Sequence, residues 1–206
     1  MEWLDELLRW FEKNGRKYFW RFDNDWYVTI VAEIMLVRTR ATTVEKVVRD
    51  FLKMFPTPDR LCNAPEDCVE AFFRRLGLVK RGRWLRETVC RILQDWRGAI
   101  PCSEEILMTL PGVGKYLSRV LITKLCSAPK PFVDTNVLRV VTRFVGEKLS
   151  VDEVEEWIRN NVPEDKLYVA NLALMDVGAL LCKHRRPRCS SCPLSRWCRS
   201  SLARTR

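Results

Sequence analysis

Four cysteines near the C-terminal end are the densest group of reactive side chains in the sequence. Cys182, Cys189, Cys192 and Cys198 are separated by six, two and five residues. Thiolates this close together, in a chain that otherwise reads as intracellular, point to a metal or a metal–sulfur cluster rather than to disulfides. Zinc accepts four thiolates, but its structural sites usually pair two C-x2-C knuckles; one such knuckle, Cys189–Cys192, is present. The uneven gaps suit a compact loop wrapped around a 4Fe–4S cube, with zinc as the alternative. Lys183, His184, Arg185, Arg186 and Arg188 lie between the first two cysteines. Pinned at both ends, that loop would offer cations to phosphates at little ordering cost. His184, the one histidine, reads as a phosphate neighbour rather than a catalyst.

A second group is the turn Leu110-Pro111-Gly112-Val113-Gly114. Apolar residues follow at Val113, Leu117, Val120, Leu121 and Leu125, the spacing of an amphipathic helix, and a shorter periodic segment precedes the turn. Glycines let a backbone approach a ligand closely. The free N–H groups opening the second helix favour an anion. With 36 Lys and Arg against 26 acids, a net charge of +10 and a pI near 9.3, that anion reads as nucleic-acid phosphate. An ordinary αα-hairpin is the plainer alternative. The basic turn Gly77–Arg83 is either a phosphate contact or a solvated loop.

The elements that must position these groups are helical throughout. The expected helices are Glu2–Asn14, Trp26–Val37, Thr43–Phe55, Ala64–Phe73, Arg81–Trp96, Ser103–Leu110, Gly114–Leu125, Thr135–Val145, Val151–Asn160 and Lys166–Ala179. Strand-like alternation is absent, so the fold class is all-α. A 47% hydrophobic share over 206 residues is enough for a real core. Trp20, Phe22, Trp26 and Tyr27 form an aromatic cluster that belongs in that core. No apolar run approaches a membrane span, and the N-terminal segment is amphipathic and acidic, unlike a signal peptide. Cys62, Cys68, Cys90, Cys102 and Cys126 read mostly as small buried apolar side chains, with a Cys62–Cys68 disulfide as the lesser reading. A single Gln beside abundant Arg hints at heat adaptation.

LPGVG, followed by Ala128-Pro129-Lys130-Pro131-Phe132-Val133-Asp134, resembles the helix–hairpin–helix of the DNA glycosylase superfamily, which ends in a Gly/Pro-rich loop and an aspartate. Glu33-Ile34-Met35-Leu36 with Thr39 resembles the first catalytic helix of adenine-specific and thymine-mismatch glycosylases. The cysteine spacing resembles the iron–sulfur loop of endonuclease III and its relatives. The resemblance runs from the N-terminal helix to Cys198. It implies two lobes, a six-helix domain at 22–132 and an iron–sulfur domain made of 1–21 with 133–206, and an active site in the cleft between them. It implies that Leu110, Gly112, Val113, Gly114 and Lys115 grip one DNA strand, and that Asp134 faces a flipped nucleotide. Glu33 would lie in the base pocket. The turn from Val37 to Ala41 would push toward the gap left by the base, which makes Arg38 and Arg40 contacts to the orphaned base or its neighbours. Arg185 and Arg186 become phosphate contacts. The partner is double-stranded DNA holding a mismatched or damaged base, met by a monomer in a prokaryotic cytoplasm or nucleoid, with no membrane involved.

Relatives that also cleave the DNA backbone carry a lysine where Tyr116 stands, and its amine forms a Schiff base at C1′. A phenol cannot form that imine, and Lys115 lies about 100° away around the helix. The expectation is a monofunctional glycosylase that uses water. Adenine glycosylases acting opposite oxidised guanine carry a serine at that position and a further C-terminal domain, whereas the chain ends eight residues after Cys198. LPGVG-Lys-Tyr, the later Val-Asp and the Arg-Thr after the Glu33 helix resemble archaeal-type thymine/uracil mismatch glycosylases better. In this reading Asp134 stabilises an oxocarbenium-like sugar, Tyr116 lines the pocket, and Glu33 contacts the base or a water. Asp134 also stands where it can cap the following helix. Adenine removal, an endonuclease III-like glycosylase/lyase, and a non-catalytic DNA-binding relative are the alternatives.

Overall fold

The computed structural model describes residues 1–126 and 128–203. Among these the chain is all-helical: α1 Glu2–Asn14, α2 Trp26–Leu36, α3 Ala41–Met54, α4 Pro58–Cys62, α5 Glu66–Arg74, α6 Lys80–Trp96, α7 Glu104–Leu107, α8 Lys115–Leu125, α9 Thr135–Val145, α10 Val151–Asn161, α11 Leu167–Leu180 and α12 Arg199–Leu202, with three short 3₁₀ turns. Two compact units result. The central one is Tyr18–Ala128, and the terminal one joins Met1–Lys17 to Pro129–Arg206.

The central unit is built around α2. Its apolar residues occupy nearly every face, which is the pattern of a helix enclosed by others. Ile30, Val31, Ala32, Ile34 and Met35 are all fully buried. Asp25 caps the helix, accepting from the Tyr27 N–H at 2.7 Å. Tyr27 donates its hydroxyl to the Phe55 carbonyl at 2.7 Å, so its polar tip is satisfied inside the core. Around α2 pack Val44, Val48 and Phe51 of α3, Leu85, Val89 and Ile92 of α6, and Leu117 and Leu121 of α8. Trp20 and Tyr27 join this core as expected, whereas Phe22 is exposed.

The terminal unit centres on α11, also apolar on most faces. Gly178 lets α9 come close: a Cβ there would stand 2.6 Å from the Asn136 Cβ. Arg16, just after α1, clasps Asp176 of α11 through its backbone N–H and its Nε, each at 2.6 Å, and the Asp176 side chain is fully enclosed. Trp3, Phe144 and Trp157 pack their rings together from α1, α9 and α10.

Several boundaries differ from expectation for local reasons. The first hairpin helix closes at Leu107 rather than Leu110. The helix expected to reach Val37 ends at Leu36, because Arg38 turns left-handed at φ 55°. The helix α4 was not expected; Thr57 caps it, accepting from the Arg60 N–H, with Pro58 at its first position. Arg81, expected among solvated or phosphate-binding cations, is buried.

The scattered cysteines also depart from expectation. Cys62 pairs with Cys90 and Cys102 with Cys126, while Cys68 is free and exposed. The first bridge joins α4 to α6. The second ties the residue just before the Ser103 cap of α7 to the residue that ends α8, closing the base of the hairpin. Intracellular proteins of hyperthermophiles are an exception to the rarity of such bonds inside cells. The bridges close loops of 28 and 24 residues, each stabilising by about 3–4 kcal/mol on chain-entropy grounds. The expected result is five titratable thiols in denatured, metal-free protein and nine after reduction, with a markedly lower unfolding temperature in reductant. Nine thiols without reduction would refute the pairing.

Candidate active site and cysteine cavity

Asp134 sits at the N-terminus of α9, in the terminal unit. Its Oδ1 accepts from the backbone N–H groups of Asn136 at 2.9 Å and Val137 at 2.8 Å, and its Oδ2 accepts from the Asn136 side-chain amide at 2.8 Å. Three donors thus hold a half-buried carboxylate in one orientation. The Asn136 amide is oriented in turn, because its Oδ1 accepts from Arg139 Nη2 at 2.7 Å. Arg139 also donates to the Gly178 carbonyl at 2.9 Å and, through Nε, to the Cys182 carbonyl at 2.8 Å. One face of α9 therefore links the carboxylate to the first cysteine of the C-terminal loop. From the next turn, Arg143 donates to Cys182 Sγ at 3.3 Å and to the carbonyls of Lys183 and His184, each at 2.8 Å. On the other side, Asn171 of α11 donates to the Phe132 carbonyl at 2.7 Å and steadies the approach to Asp134.

Cys182, Cys189, Cys192 and Cys198 line one cavity of about 30 Å³, closed by apolar residues including Val140, Val177 and Leu194. Burial pushes the Cys192 thiol up to about 11 and raises Cys198 as well. Among the described residues no three His, Cys, Asp or Glu side chains converge as ligands of a single metal ion. Lys183, His184, Arg185, Arg186 and Arg188 lie on the same loop, and all five are exposed.

The remaining expected residues lie in the central unit. Gly112 has φ 78°, and a Cβ there would press on Trp84 at 3.3 Å, so this position needs glycine for conformation and for space. Gly114 precedes α8, is exposed, and has open space where a Cβ would stand. Leu110 and Val113 are buried, so at these two positions only the backbone is offered to a ligand. Lys115 and Tyr116 are half-buried in the first turn of α8, and Glu33 is half-buried on α2. Arg38 and Arg40 are exposed on the turn between α2 and α3. Lys124 of α8 donates to the Trp20 carbonyl at 2.7 Å and to Thr29 Oγ1 at 2.8 Å, one helical turn before Glu33. Burial lowers its amine to about 8, against the opposing pull of Glu33, Asp23 and Asp25.

Asn136, Arg139, Arg143, Lys124 and Arg81 were not among the expected site residues. The first three had a signal: polar residues at 136, 139 and 143 follow one face of a helix whose other face is Val137, Val140 and Val141.

Comparison with known proteins fits this geometry. Residues 31–164 match the HhH-GPD superfamily of base excision DNA repair proteins. The chain is 33% identical to the thymine-DNA glycosylase of Aeropyrum pernix, over 93% of this chain and 91% of that protein. It is 34% identical to the adenine DNA glycosylase of Mycobacterium tuberculosis, over 93% of this chain and 65% of that protein. Among solved structures, that of a thermostable thymine-DNA glycosylase superposes with a TM-score of 0.88 at 28% identity, covering 97% of this chain and 95% of the other.

Proposed function

The chain belongs to the HhH-GPD superfamily of base excision DNA repair proteins, and within it we propose a monofunctional DNA glycosylase that hydrolyses thymine or uracil from mispairs with guanine. The observation that carries the reading is Asp134, a carboxylate fixed by three donors at the head of α9. Cleaving an N-glycosidic bond builds positive charge on the sugar, and an oriented carboxylate stabilises that charge or positions the attacking water. The base must leave the stack first. In this reading Glu33 meets the flipped base or a water, and Tyr116 lines the pocket. Gly112, Gly114 and Lys115 hold one strand. Arg185 and Arg186 meet phosphates. Similarity to the archaeal thymine-DNA glycosylase supports the pyrimidine substrate. Adenine removal is the second reading, favoured by comparable identity to the mycobacterial adenine glycosylase. Duplexes holding T·G, U·G, adenine opposite oxidised guanine, or thymine glycol, each assayed with and without alkali, decide between them. Release from T·G or U·G with breakage only after alkali is expected; release from adenine alone overturns the pyrimidine assignment.

The four cysteines of the cavity suit a 4Fe–4S cluster: four thiols face one space, and Arg143 already donates toward Cys182 Sγ. Bound there, the cluster supplies a cross-link that stiffens the basic loop, and no reaction step needs it. Purified protein should be yellow-brown with about four irons per chain. Colourless protein with stoichiometric zinc and full DNA affinity refutes this.

A further inference from the structure

Arg81, in the first turn of α6, is 1% exposed. Its guanidinium faces carbonyls rather than carboxylates. Nη1 donates to Met35 O at 2.8 Å and Val37 O at 2.6 Å, and more weakly to Ile34 O at 3.4 Å. Nη2 donates to Leu76 O at 3.0 Å, and both Nη atoms reach Thr39 Oγ1 at 3.2 Å. Its Nε is buried without an acceptor. A buried cation is costly unless its surroundings answer it. Here the answer is the C-terminal end of α2, where orphaned carbonyls carry the negative end of the helix dipole. Lysine has no planar fork to serve acceptors on several sides.

The turn that Arg81 holds is unusual. Helices often stop on a left-handed glycine, but α2 stops on Arg38 at φ 55°. Such a residue persists only where its surroundings over-determine it. Around it, Val37, Arg38 and Arg40 are exposed, while the carbonyls of Met35 and Val37 and the hydroxyl of Thr39 are tied inward to Arg81. A rigid inner side with an outward-facing basic edge is what a preorganised contact requires.

We infer that Arg81 is a positioning residue for lesion recognition: it locks the Val37–Arg40 turn so that Arg38 meets DNA at the site of the displaced base. The inference rests on the glycosylase reading and adds a residue that itself never touches DNA. Its effect should fall on lesion DNA and spare matched DNA.

Full-length Arg81→Lys and the milder Thr39→Val test it; the latter removes one acceptor and leaves Arg81 in place. Hydrogen exchange over residues 34–40 should quicken by about tenfold or more while the rest of the central unit keeps its protection. Affinity for a duplex with a tetrahydrofuran abasic analogue opposite guanine should drop about tenfold, with matched-duplex affinity within about twofold. Arg38→Ala should produce the same drop, and Arg38→Ala with Thr39→Val should add nothing further. Exchange that is unchanged, or raised evenly across the unit, overturns the inference. So does an equal loss on matched and abasic duplexes, or additive effects in the double variant. Failure of the glycosylase reading looks different: wild-type protein then releases no base from any duplex, while the exchange result stands.

Discussion

Asp134→Asn should reduce base release by roughly 10²–10⁴-fold, the range of a positioned acid–base group, while lesion-DNA affinity survives. The substitution keeps size and leaves one oxygen to cap α9, but it removes the negative charge that the proposed mechanism sets against the cationic transition state. The hydrogen-bond network adds a second consequence. Asp134 Oδ2 accepts from the Asn136 amide, whose orientation is set by Arg139. The N–H₂ group introduced by the substitution would face that donor, and flipping Asn136 would only move the conflict to Arg139. The variant should therefore also lose about 1–2 kcal/mol of stability. Single-turnover rates normalised to folded protein separate the two effects. If the normalised rate is unchanged, Asp134 is only a cap. Asp134→Ser, which caps without charge and without an opposing amide, should be comparably inactive and more stable.

The parts of this arrangement that were legible in the sequence are those set by local rules. Apolar spacing at Val137, Val140 and Val141 marks α9, and an aspartate just before it marks the cap. The hairpin was legible because Gly112 and Gly114 punctuate two periodic segments, although α7 is shorter than its pattern. What escaped depended on tertiary packing. Cys62 and Cys90 lie 28 residues apart and meet only because α4 packs on α6. Arg81 looks like any cation in a basic turn, and only the arrival of the α2 carbonyls makes it a core residue. Gly178 reads as a weakness inside a helix until Asn136 is seen against it. The cysteine spacing pointed to a shared cavity, but not to the way Arg139 and Arg143 join its first member to the helix bearing Asp134.

On the monofunctional reading, Tyr116→Lys should give a glycosylase that also cuts the strand. Tyr116 lies in the first turn of α8, and the proposed reading sets its phenol where lyase relatives would carry their amine. An amine attacking C1′ displaces the base, forms an imine with the opened sugar, and enables elimination of the 3′ phosphate. Half-burial at this position favours the neutral, nucleophilic amine. Wild-type product should be an abasic strand that breaks only in alkali, with no adduct trapped by borohydride. The lysine variant should give both strand breakage without alkali and a trapped adduct, at a base-release rate below wild type because the pocket contact proposed for Tyr116 is lost. Lys115 is the internal control: it is adjacent in sequence but turned about 100° around the helix, so Lys115→Ala should leave the chemistry intact and weaken DNA binding. If wild-type protein is trapped efficiently and Lys115→Ala abolishes trapping, Lys115 is the nucleophile and the enzyme is a lyase.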